Sequence, residues 1–505
     1  MKKQFQRSSS FMYRILGTMQ FFWASLVIFV CNAAWIAISG LYPMAHDEQF
    51  HLGIIRLYAE RLSPFWSSMP AGEAAYGAIT RDPSYLYHYF LSFPFRLLDN
   101  IVQSEVGQVI ILRFVSIAFV VSAIWVFRKI LLRAGFSKQL THLSLFIFVV
   151  TPLVPFFAAQ VNYDTLLFLL LSLAVLYGQK VLKRLRTSQK LDTKEVSTLF
   201  IILSFGSLVK YAYLPIAIAV VGVIGWRAYK LKLTLPRLWQ SLVNSFKRLP
   251  KQAAFGLLTV TLLFFGLAVE RYGVNTIKYK TPTPECNQVL SIEACMAYSP
   301  WRRNYLTKQS YQQGRLKTTY TSQNFPRYVT TIWLSKTTEQ LFFSISGMSN
   351  SYKIARPYRA PRIASVTLML VGFGLFLWHF KRLRRDYHLD FLLAVPLVYL
   401  GALLSQNYLD FLNIGYPYAI QGRYLIPILP IVYILVGQSF ASSLRKHPGT
   451  KTLLAILAIL LFTTQGGGAA TFISRSNTEW WWPNQKIIHI NQAAKRLIDP
   501  ITLGR

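Results

Sequence analysis

The chain has 505 residues, of which 53% are hydrophobic and only 14% are charged, and its formal net charge is +35. This composition is too apolar for a large water-soluble assembly. The net charge alone would suggest nucleic-acid binding, but the basic residues lie in short segments between long apolar runs and not along one soluble face. We therefore predict an all-α membrane protein that crosses the bilayer many times and binds no nucleic acid.

The first apolar run, residues 21–41, follows the basic residues Lys2, Lys3 and Arg7. It is too long for a signal-peptide core and lacks a convincing small-residue cleavage site, so we expect a retained first helix with its amino terminus in the cytoplasm. Later apolar runs approach or reach the length that crosses a hydrocarbon layer of about 30 Å as helix. They include residues 109–127, 166–177, 253–269 and 453–462.

Basic clusters between the apolar runs define the expected topology. If the chain changes sides at each run, about 11 spans result and every cluster lies in the cytoplasm, in keeping with the positive-inside bias. The polytopic domain is then residues 1–475, and we expect it in the cell (plasma) membrane. The clusters occupy residues 128–138, 180–186, 227–251, 381–385 and 445–451.

The number of spans is ambiguous at one apolar stretch, residues 198–226, because polar residues and a proline interrupt it around Lys210. A single helix there would export the loop 227–252, which has seven Lys or Arg and no acid. Two short helices that meet near Lys210 keep this loop inside. Polar backbone at membrane depth is tolerated only beside a protein cavity or a wet crevice, so we expect Lys210 at the outer end of a shallow cavity.

The first external loop, residues 42–107, contains seven of the 19 acidic residues. Behind its acidic pair Asp47-Glu48, apolar residues recur at helical spacing, which predicts an amphipathic helix at the membrane surface. The pair would stand at the amino-terminal end of that helix, where simple capping explains it equally well. The apolar residues are Phe50, Ile54, Leu57, Tyr58 and Leu62.

Two further external segments follow from the same topology. Residues 271–360 form a large basic loop, and loops of this length are largely exempt from the charge rule. A disulfide between its Cys286 and Cys295 fits an external position, but two free thiols fit the sequence equally well. Residues 476–505 form an external tail, whose tryptophans at 480–482 we interpret as an interfacial belt or, less simply, as an acceptor site.

Polar residues recur at the predicted outer ends of several spans. Taken singly, each has an ordinary structural explanation as a turn, a helix cap or a long interfacial side chain. Their convergence on one face is not explained in this way, because ionisable groups at membrane depth are usually functional. We predict a substrate site that comprises, besides Asp47 and Glu48, residues His51, Arg81, Asp82, Asn162, Asp164, Lys210, Tyr211, Gln421, Arg423 and Tyr424.

Carboxylates opposite a lysine and an arginine suit a substrate with a phosphate leaving group on a lipid tail. Lys210 and Arg423 would neutralise the departing phosphate, and Asp47 or Glu48 would accept the proton of an attacking hydroxyl. This chemistry is glycosyl transfer from a polyprenyl-phosphate sugar to an extracytoplasmic acceptor, such as an envelope glycan or lipid. A lipid-linked donor outside the cell also explains why the sequence contains no glycine-rich nucleotide-phosphate loop.

Short motifs across most of the chain carry a family resemblance. They are Asp47-Glu48-x-x-His51 with Arg56-Leu57-Tyr58-Ala59, Asp82-Pro83-Ser84-Tyr85-Leu86-Tyr87, Asn162-Tyr163-Asp164, Lys210-Tyr211-x-Tyr213-Leu214-Pro215 and Gln421-Gly422-Arg423-Tyr424-x-x-Pro427. In these motifs the sequence resembles the multi-span, lipid-dependent glycosyltransferases of the GT-C superfamily, especially bacterial relatives whose activity is not established. The resemblance implies a GT-C-like fold with a first-loop acid as catalytic base, here Asp47 with Glu48 as second choice.

Other readings of the same residues stay open. Asp47 or Asp82 could hold Mg²⁺ or Mn²⁺ against the donor phosphate, since oxygen ligands suit these ions. A zinc protease is disfavoured, because Asp47 stands where the first histidine of that motif must be. A transporter or flippase of lipid-linked or envelope glycans would need ionisable residues near the midplane. A non-catalytic membrane subunit of envelope assembly would use residues 271–360 as its binding module.

Overall fold

The computed structural model of the chain describes residues 13–45, 47–66, 68, 73–315, 324–342, 359–386, 388–464 and 467–501. Within these ranges the regular structure is helical, with one isolated bridge between Gly40 and Trp481 and no strand, which confirms the all-α prediction. Some predicted features lie outside the described residues. They are parts of the predicted external segments: residues 46, 67 and 69–72 of the first loop, 316–323 and 343–358 of the second, and 502–505 of the tail.

From Met19 onward the α-helices are numbered in chain order. They are α1 (Met19–Ser39), α2 (Glu48–Ala59), α3 (Leu86–Ile101), α4 (Glu105–Arg133), α5 (Lys138–Val150), α6 (Leu153–Ala158), α7 (Tyr163–Ser188), α8 (Thr193–Val209), α9 (Leu214–Lys230), α10 (Leu235–Phe246), α11 (Lys251–Ala268), α12 (Val274–Tyr279), α13 (Cys286–Val289), α14 (Ile292–Cys295), α15 (Ser299–Gln312), α16 (Phe325–Arg327), α17 (Leu334–Leu341), α18 (Arg359–Asp386), α19 (Asp390–Ile414), α20 (Leu429–Ser443), α21 (Pro448–Thr464), α22 (Gly468–Arg475) and α23 (Gln485–Ile498). Short 3₁₀ or π segments at Glu73–Tyr76, Tyr211–Tyr213, Val269–Gly273, Tyr328–Trp333, Gly422–Ile428 and Thr478–Trp480 join or extend them.

Nine helical stretches in the described ranges are long and apolar enough to cross a membrane, so the chain is a multi-pass membrane protein. The predicted number of about 11 spans is not confirmed. Outside these nine stretches, two apolar helices among the described residues fall short of a bilayer. Helix α5 has 13 residues and α8 has 17, or about 20 Å and 26 Å of helix against a hydrocarbon layer of about 30 Å.

Helices α4, α5 and α7 pack around the centre of the bundle. The Phe168 ring of α7 lies 5.2 Å from that of Phe127 on α4 and 5.5 Å from that of Phe148 on α5, and all three side chains are buried. Asn162 caps α7 by accepting the Asp164 N–H through its side chain at 2.9 Å. This packing and cap fix the amino-terminal end of α7, where the polar residues gather.

The two ends of α7 carry different partners. At its start Asp164 contacts Lys210, and near its end Arg186 pairs with Asp390, which also accepts from Arg227 at 2.7 Å. The 22 residues between Asp164 and Arg186 span about 33 Å along the helix, close to the hydrocarbon thickness. Basic segments that are distant in sequence therefore meet at one end of the bundle, opposite the end that holds Asp164.

The predicted break near Lys210 is confirmed. Helix α8 ends at Val209, Lys210 is extended with φ −158° and ψ 127°, and a 3₁₀ turn leads into α9. The extended residue directs the next helix back into the bundle. Lys210 itself is buried.

The predicted first-loop helix is α2, but its apolar side packs on protein. Ile54, Leu57 and Tyr58 are buried in a cluster with Trp66 and Ile79, so the expectation that this side lies on the membrane surface is wrong. The helix ends at Ala59. The helical periodicity predicts the helix but not what its apolar side contacts, because lipid and a protein core both favour apolar residues.

Residue 271, the predicted start of the second external segment, lies within a helix. The helix that starts at Lys251 continues through the π turn to Tyr279, so residue 271 lies inside it. Beyond it, Cys286 and Cys295 form a disulfide that joins α13 to α14.

The tryptophans at 480–482 were predicted to form an interfacial belt, and this is wrong for two of them. Trp480 and Trp481 are buried in the protein core. Trp480 O accepts the Leu41 N–H at 2.9 Å, and Trp482 N–H donates to Ser39 O at 3.0 Å. This segment therefore lies at the carboxyl end of α1, the same end as the first loop.

Candidate active site

Four charged side chains from distant parts of the chain form an alternating series. Arg423 Nη2 lies 2.9 Å from Asp47 Oδ2, and Arg423 Nε lies 3.8 Å from Asp164 Oδ2. On the other side, Lys210 Nζ lies 2.6 Å from Asp164 Oδ1. The two cations and Asp164 are buried, whereas the Asp47 side chain is 57% exposed. The series thus runs from the protein interior to an accessible carboxylate.

Arg423 reaches this position through the 3₁₀ segment Gly422–Ile428. A side chain at Gly422 would collide with α17, because a Cβ atom there would lie 2.7 Å from Thr337 O. The close approach lets Gly422 N–H donate to Gln340 Oε1 at 2.6 Å. The predicted site residue Gln421 precedes this turn, and its backbone O accepts the Tyr424 N–H at 3.3 Å.

Two aromatic rings flank the Lys210 ammonium. Lys210 Nζ lies 4.5 Å from the Tyr163 ring centroid and 4.6 Å from that of Tyr424. Cation–π contacts of this kind stabilise a desolvated ammonium while leaving its N–H donors available to oxygen acceptors. Asp164 and these two rings surround the buried end of the Lys210 side chain.

The other first-loop acid, Glu48, occupies a different environment. Both its oxygens face Arg113, at 2.9 Å from Nε and 2.8 Å from Nη2, and they also accept the N–H groups of Met44 and Val161. Glu48 and Arg113 are fully buried. Arg113 Nη1 further donates to Ala37 O and Gly40 O. Glu48 thus ties α2 to α1, α4 and the segment before α7, and it holds Asp47 at the adjoining position.

His51 lies behind the charged series and contacts His88 of α3. His51 Nδ1 and His88 Nε2 are 2.9 Å apart, and both rings are buried. Burial lowers the pKa of His88 to about 3, and burial with the neighbouring His88, Arg423 and Lys210 holds the pKa of His51 well below its usual value. Both imidazoles are therefore neutral at physiological pH, and the N–H of one ring donates to the unprotonated nitrogen of the other.

Arg81 anchors the first loop to the helix that starts at Lys251, and its neighbour Asp82 holds a turn within that loop. Arg81 donates to Glu270 Oε1 and to Asn275 Oδ1, each at 2.8 Å. Asp82 Oδ1 accepts the Ser84 N–H at 2.8 Å, and burial raises the pKa of Asp82. Arg81 thus binds protein groups instead of joining the charged series.

Tyr211 lies between the Asp82 turn and the charged series. Its backbone N–H donates to Ser84 Oγ at 3.2 Å, one residue beyond Lys210. Tyr298, from the segment after the disulfide, is within electrostatic reach of Asp47, Asp82 and Tyr211, and burial raises its pKa. The Tyr298 ring also stacks on Phe50 at 5.6 Å. Tyr298 therefore brings the segment after the disulfide onto the first loop beside Asp47.

The predicted residues fall into groups. Asp47, Asp164, Lys210, Arg423 and Tyr424 meet in the charged series. The remaining predicted residues surround that series or hold its elements: Glu48, His51, Arg81, Asp82, Asn162, Tyr211 and Gln421.

Sequence reasoning missed three residues near the series, namely Arg113, His88 and Tyr298. Arg113 could have been predicted from the sequence. It is an arginine inside the apolar run 109–127, and such residues need a buried partner. His88 and Tyr298 could not have been predicted, since their positions depend on how the loops pack.

A divalent cation held by Asp47 or Asp82 against the phosphate of the donor stays a prediction. Asp47 faces the Arg423 guanidinium and Asp82 accepts a backbone N–H, so each carboxylate already has a donor partner. In the part of the chain that the structure describes, three or more His, Cys, Asp or Glu side chains nowhere cluster as metal ligands. This arrangement does not favour a resident metal ion at the charged series.

The chain matches no protein-family model and no curated protein sequence. It is similar to one oligosaccharyltransferase of known structure. That protein is the Archaeoglobus fulgidus oligosaccharyltransferase, in a crystal structure where it is tethered through a disulfide bond with an acceptor peptide containing the NVT sequon. The two share 12% identity with a TM-score of 0.41, over 90% of this chain. The chain spans 58% of the length of that oligosaccharyltransferase.

Proposed function

We propose that the chain is a membrane glycosyltransferase of the GT-C type, which transfers a sugar from a polyprenyl-phosphate donor to an extracytoplasmic acceptor with Asp47 as base. The observation that carries the proposal is the 2.9 Å contact between Asp47, 57% exposed, and Arg423, 2% exposed. A solvent-accessible base directly beside buried cations is the arrangement that attack on a sugar with a phosphate leaving group requires.

The proposed reaction makes one bond and breaks one. The acceptor oxygen attacks the anomeric carbon, the bond from that carbon to the phosphate oxygen breaks, and Asp47 takes the proton of the acceptor hydroxyl. The phosphodiester of the donor carries about one negative charge, and the departing polyprenyl phosphate carries about two. Arg423 and Lys210 therefore bind the leaving group more strongly than the donor, which lowers the barrier.

Binding of the donor would also free the base. Arg423 is shared between Asp47 and Asp164, so a phosphate oxygen at Arg423 competes with the exposed Asp47 and not with the buried Asp164. Displacement of Asp47 from the guanidinium would release its carboxylate towards the acceptor. The Asp47 carboxylate is then released from Arg423 only when the donor is bound.

The proposed side of the membrane follows from charge. The basic segments gather at the far end of α7, about 33 Å from Asp164, and the positive-inside bias assigns that end to the cytoplasm. The charged series would then face the outside of a plasma membrane, where the polyprenyl tail enters from the lipid. An envelope glycan or lipid is the acceptor class that this side offers.

Asp47→Asn tests the base directly. Cells that lack the protein should accumulate a lipid-linked sugar, and restored wild-type protein should remove it. Glu60→Gln is the matched control, because Glu60 is an exposed acid one residue past the end of the same helix α2. We expect the control to restore transfer and Asp47→Asn to lose it by about 100-fold or more, at equal membrane insertion. Full restoration by Asp47→Asn would remove this residue from the mechanism.

The leaflet in which the lipid-linked sugar accumulates distinguishes a flippase from a transferase. Loss of a transferase leaves the lipid-linked sugar in the outer leaflet, whereas loss of a flippase leaves it in the inner leaflet. Treatment of intact spheroplasts with a membrane-impermeant oxidant of sugar diols reports the leaflet. We expect the accumulated lipid to react.

A further inference from the structure

We propose that the chain binds an anionic phospholipid in a cavity at the basic end of the bundle, separate from the charged series at the other end. The cavity lies among α5, α18, α20 and α21 and has two adjoining parts. This inference does not depend on the proposed function.

The inner part of the cavity is apolar, with a volume of about 240 Å³. Its walls include Leu143 and Ile147 of α5, Leu368 of α18, and Leu454 and Leu461 of α21. Among the side chains that the structure describes, Lys451 is the only charged one that contributes to it. An opening of this composition suits a hydrocarbon chain and not a sugar or nucleotide.

The length of the apolar part matches one leaflet. It runs beside α21 from Lys451 to Phe462, eleven residues or about 16 Å of helix. Half of a hydrocarbon layer of about 30 Å is about 15 Å. A phospholipid whose head lies at Lys451 can therefore place one acyl chain along the whole cavity.

The outer part of the cavity is polar and basic, with a volume of about 410 Å³. Arg382, Arg445 and Lys451 line it, and none of the described side chains on its walls is acidic. Lys451 and Gln139 line both parts, so the basic rim and the apolar wall are continuous. Lys451 Nζ also lies 4.4 Å from the Tyr13 ring, which holds the ammonium at the boundary.

This pairing of a basic rim with an apolar wall selects an anionic phospholipid over a zwitterionic one. Arginine guanidinium groups bind phosphate oxygens in pairs, and a choline head group would bring its own cation towards Arg382 and Arg445. Basic groups near a membrane surface contribute about 1 kcal/mol each to the binding of anionic lipid, which is about five-fold in affinity. The polyprenyl phosphate of the proposed reaction would instead need its phosphate at the opposite end, beside Lys210.

The test is lipid binding by the full-length protein, delipidated in detergent and titrated with dioleoyl phosphatidylglycerol or dioleoyl phosphatidylcholine, with native mass spectrometry as the readout. We expect one tightly retained phosphatidylglycerol and at least ten-fold weaker phosphatidylcholine binding. Arg382→Gln with Arg445→Gln should weaken phosphatidylglycerol about ten-fold or more. The matched control is Lys247→Gln with Arg248→Gln, two exposed basic residues at the end of α10 that do not line the cavity.

A second variant tests the apolar part without changing charge. Ala458→Phe fills the cavity wall on α21 and should weaken phosphatidylglycerol by about ten-fold while all three basic residues remain. Thermal unfolding of each variant confirms that it folds. The proposal is overturned by equal affinity for the two lipids, by equal effects of the arginine pair and its control, by unchanged binding in Ala458→Phe, or by stoichiometric displacement of phosphatidylglycerol by undecaprenyl phosphate.

Discussion

Arg423 Nη2 lies 2.9 Å from Asp47 Oδ2, although the two residues are 376 positions apart in the chain. Arg423 is buried and Asp47 is largely exposed, so the contact joins the protein interior to an accessible surface. Asp47 also adopts a left-handed conformation with φ 70°, which a residue other than glycine rarely takes. Its side chain does not cap α2. The strained backbone and the missing cap argue against simple helix capping as the role of Asp47.

Asp47→Asn and Glu48→Gln should separate catalysis from stability. The Asp47 pair is exposed on one side and contributes about 1 kcal/mol or less to folding, so Asp47→Asn should lose transfer and keep the melting temperature. Glu48→Gln leaves Arg113 buried without its counter-ion, which costs about 3–5 kcal/mol. Thermal unfolding in detergent and the lipid-linked sugar assay measure the two effects. A stable Glu48→Gln protein without transfer activity would instead identify Glu48 as the base.

Arg423→Lys should retain part of the function that Arg423→Gln loses. A lysine keeps the positive charge. Unlike the forked guanidinium, its single ammonium cannot contact Asp47 and Asp164 simultaneously. We expect transfer to fall about 10-fold for lysine and about 100-fold or more for glutamine. The control is Arg303→Gln, an exposed arginine on α15. Equal activity of the lysine and glutamine variants would exclude a charge-based role.

Lys210 and Asp164 offer a double-mutant test of the buried pair. Lys210→Met or Asp164→Asn alone leaves one partner buried, and each should destabilise the protein by about 3 kcal/mol or more. The two changes together should cost less than the sum, because neither charge then remains without its partner. Thermal unfolding of the wild type, the two single variants and the double variant gives the coupling free energy between Lys210 and Asp164. Additive effects would show that the 2.6 Å contact contributes little to folding.

Much of the charged series could be predicted, because the membrane topology determines which charged residues lie at the same end of the bundle. Once the break near Lys210 was placed by parity, Asp47, Asp164, Lys210 and Arg423 all fell at the same end of the bundle. The pairing itself could not be predicted, since nothing in the sequence around Glu48 says that it pairs with Arg113 while its neighbour Asp47 pairs with Arg423.

Burial of apolar residues was the least predictable feature. Trp480, Trp481 and the apolar side of α2 have compositions that suit a membrane interface, yet they pack on protein. Apolar side chains are stabilised both in a bilayer and in a protein core, so hydrophobicity alone does not distinguish these two environments. The distinction depends on which other segments approach, here residues 39–41 for the tryptophans.

The disulfide gives a test of the proposed side of the membrane. If Cys286 and Cys295 face the outside, a brief reduction of intact cells should make both thiols react with a membrane-impermeant maleimide. The variant Cys31→Ser removes the free cysteine within α1 and serves as background. Mass spectrometry of the labelled peptides reports the outcome. Labelling only after the membrane is permeabilised would reverse the topology.

The same disulfide should stabilise the segment that carries Tyr298. Its closed loop spans nine residues of separation, for which chain entropy gives roughly 2–3 kcal/mol. Cys286→Ser with Cys295→Ser should therefore lower the melting temperature and loosen Tyr298 from Phe50 beside Asp47. We expect a raised KM for the acceptor with a smaller change in kcat. An unchanged KM would show that this segment does not contribute to acceptor binding.

The buried His51–His88 pair should make the protein sensitive to acid. The pKa of His88 is lowered to about 3 in the folded protein, against about 6.5 when unfolded, so the unfolded chain binds the extra proton between these values. Stability is therefore fully present above about pH 6.5 and falls as the pH drops below it. At pH 5 the loss from His88 alone is about 2 kcal/mol.

His88→Gln should remove this part of the pH dependence, and His447→Gln, at an exposed position near the basic end, should not. Thermal unfolding at pH 7.5, 6.5 and 5.0 measures it. The wild type and His447→Gln should lose stability in parallel as the pH falls, whereas His88→Gln should start lower and lose less. Parallel curves for all three proteins would mean that His88 is already protonated in the folded state, and its 2.9 Å contact with His51 would then be that of an imidazolium donating to a neutral ring.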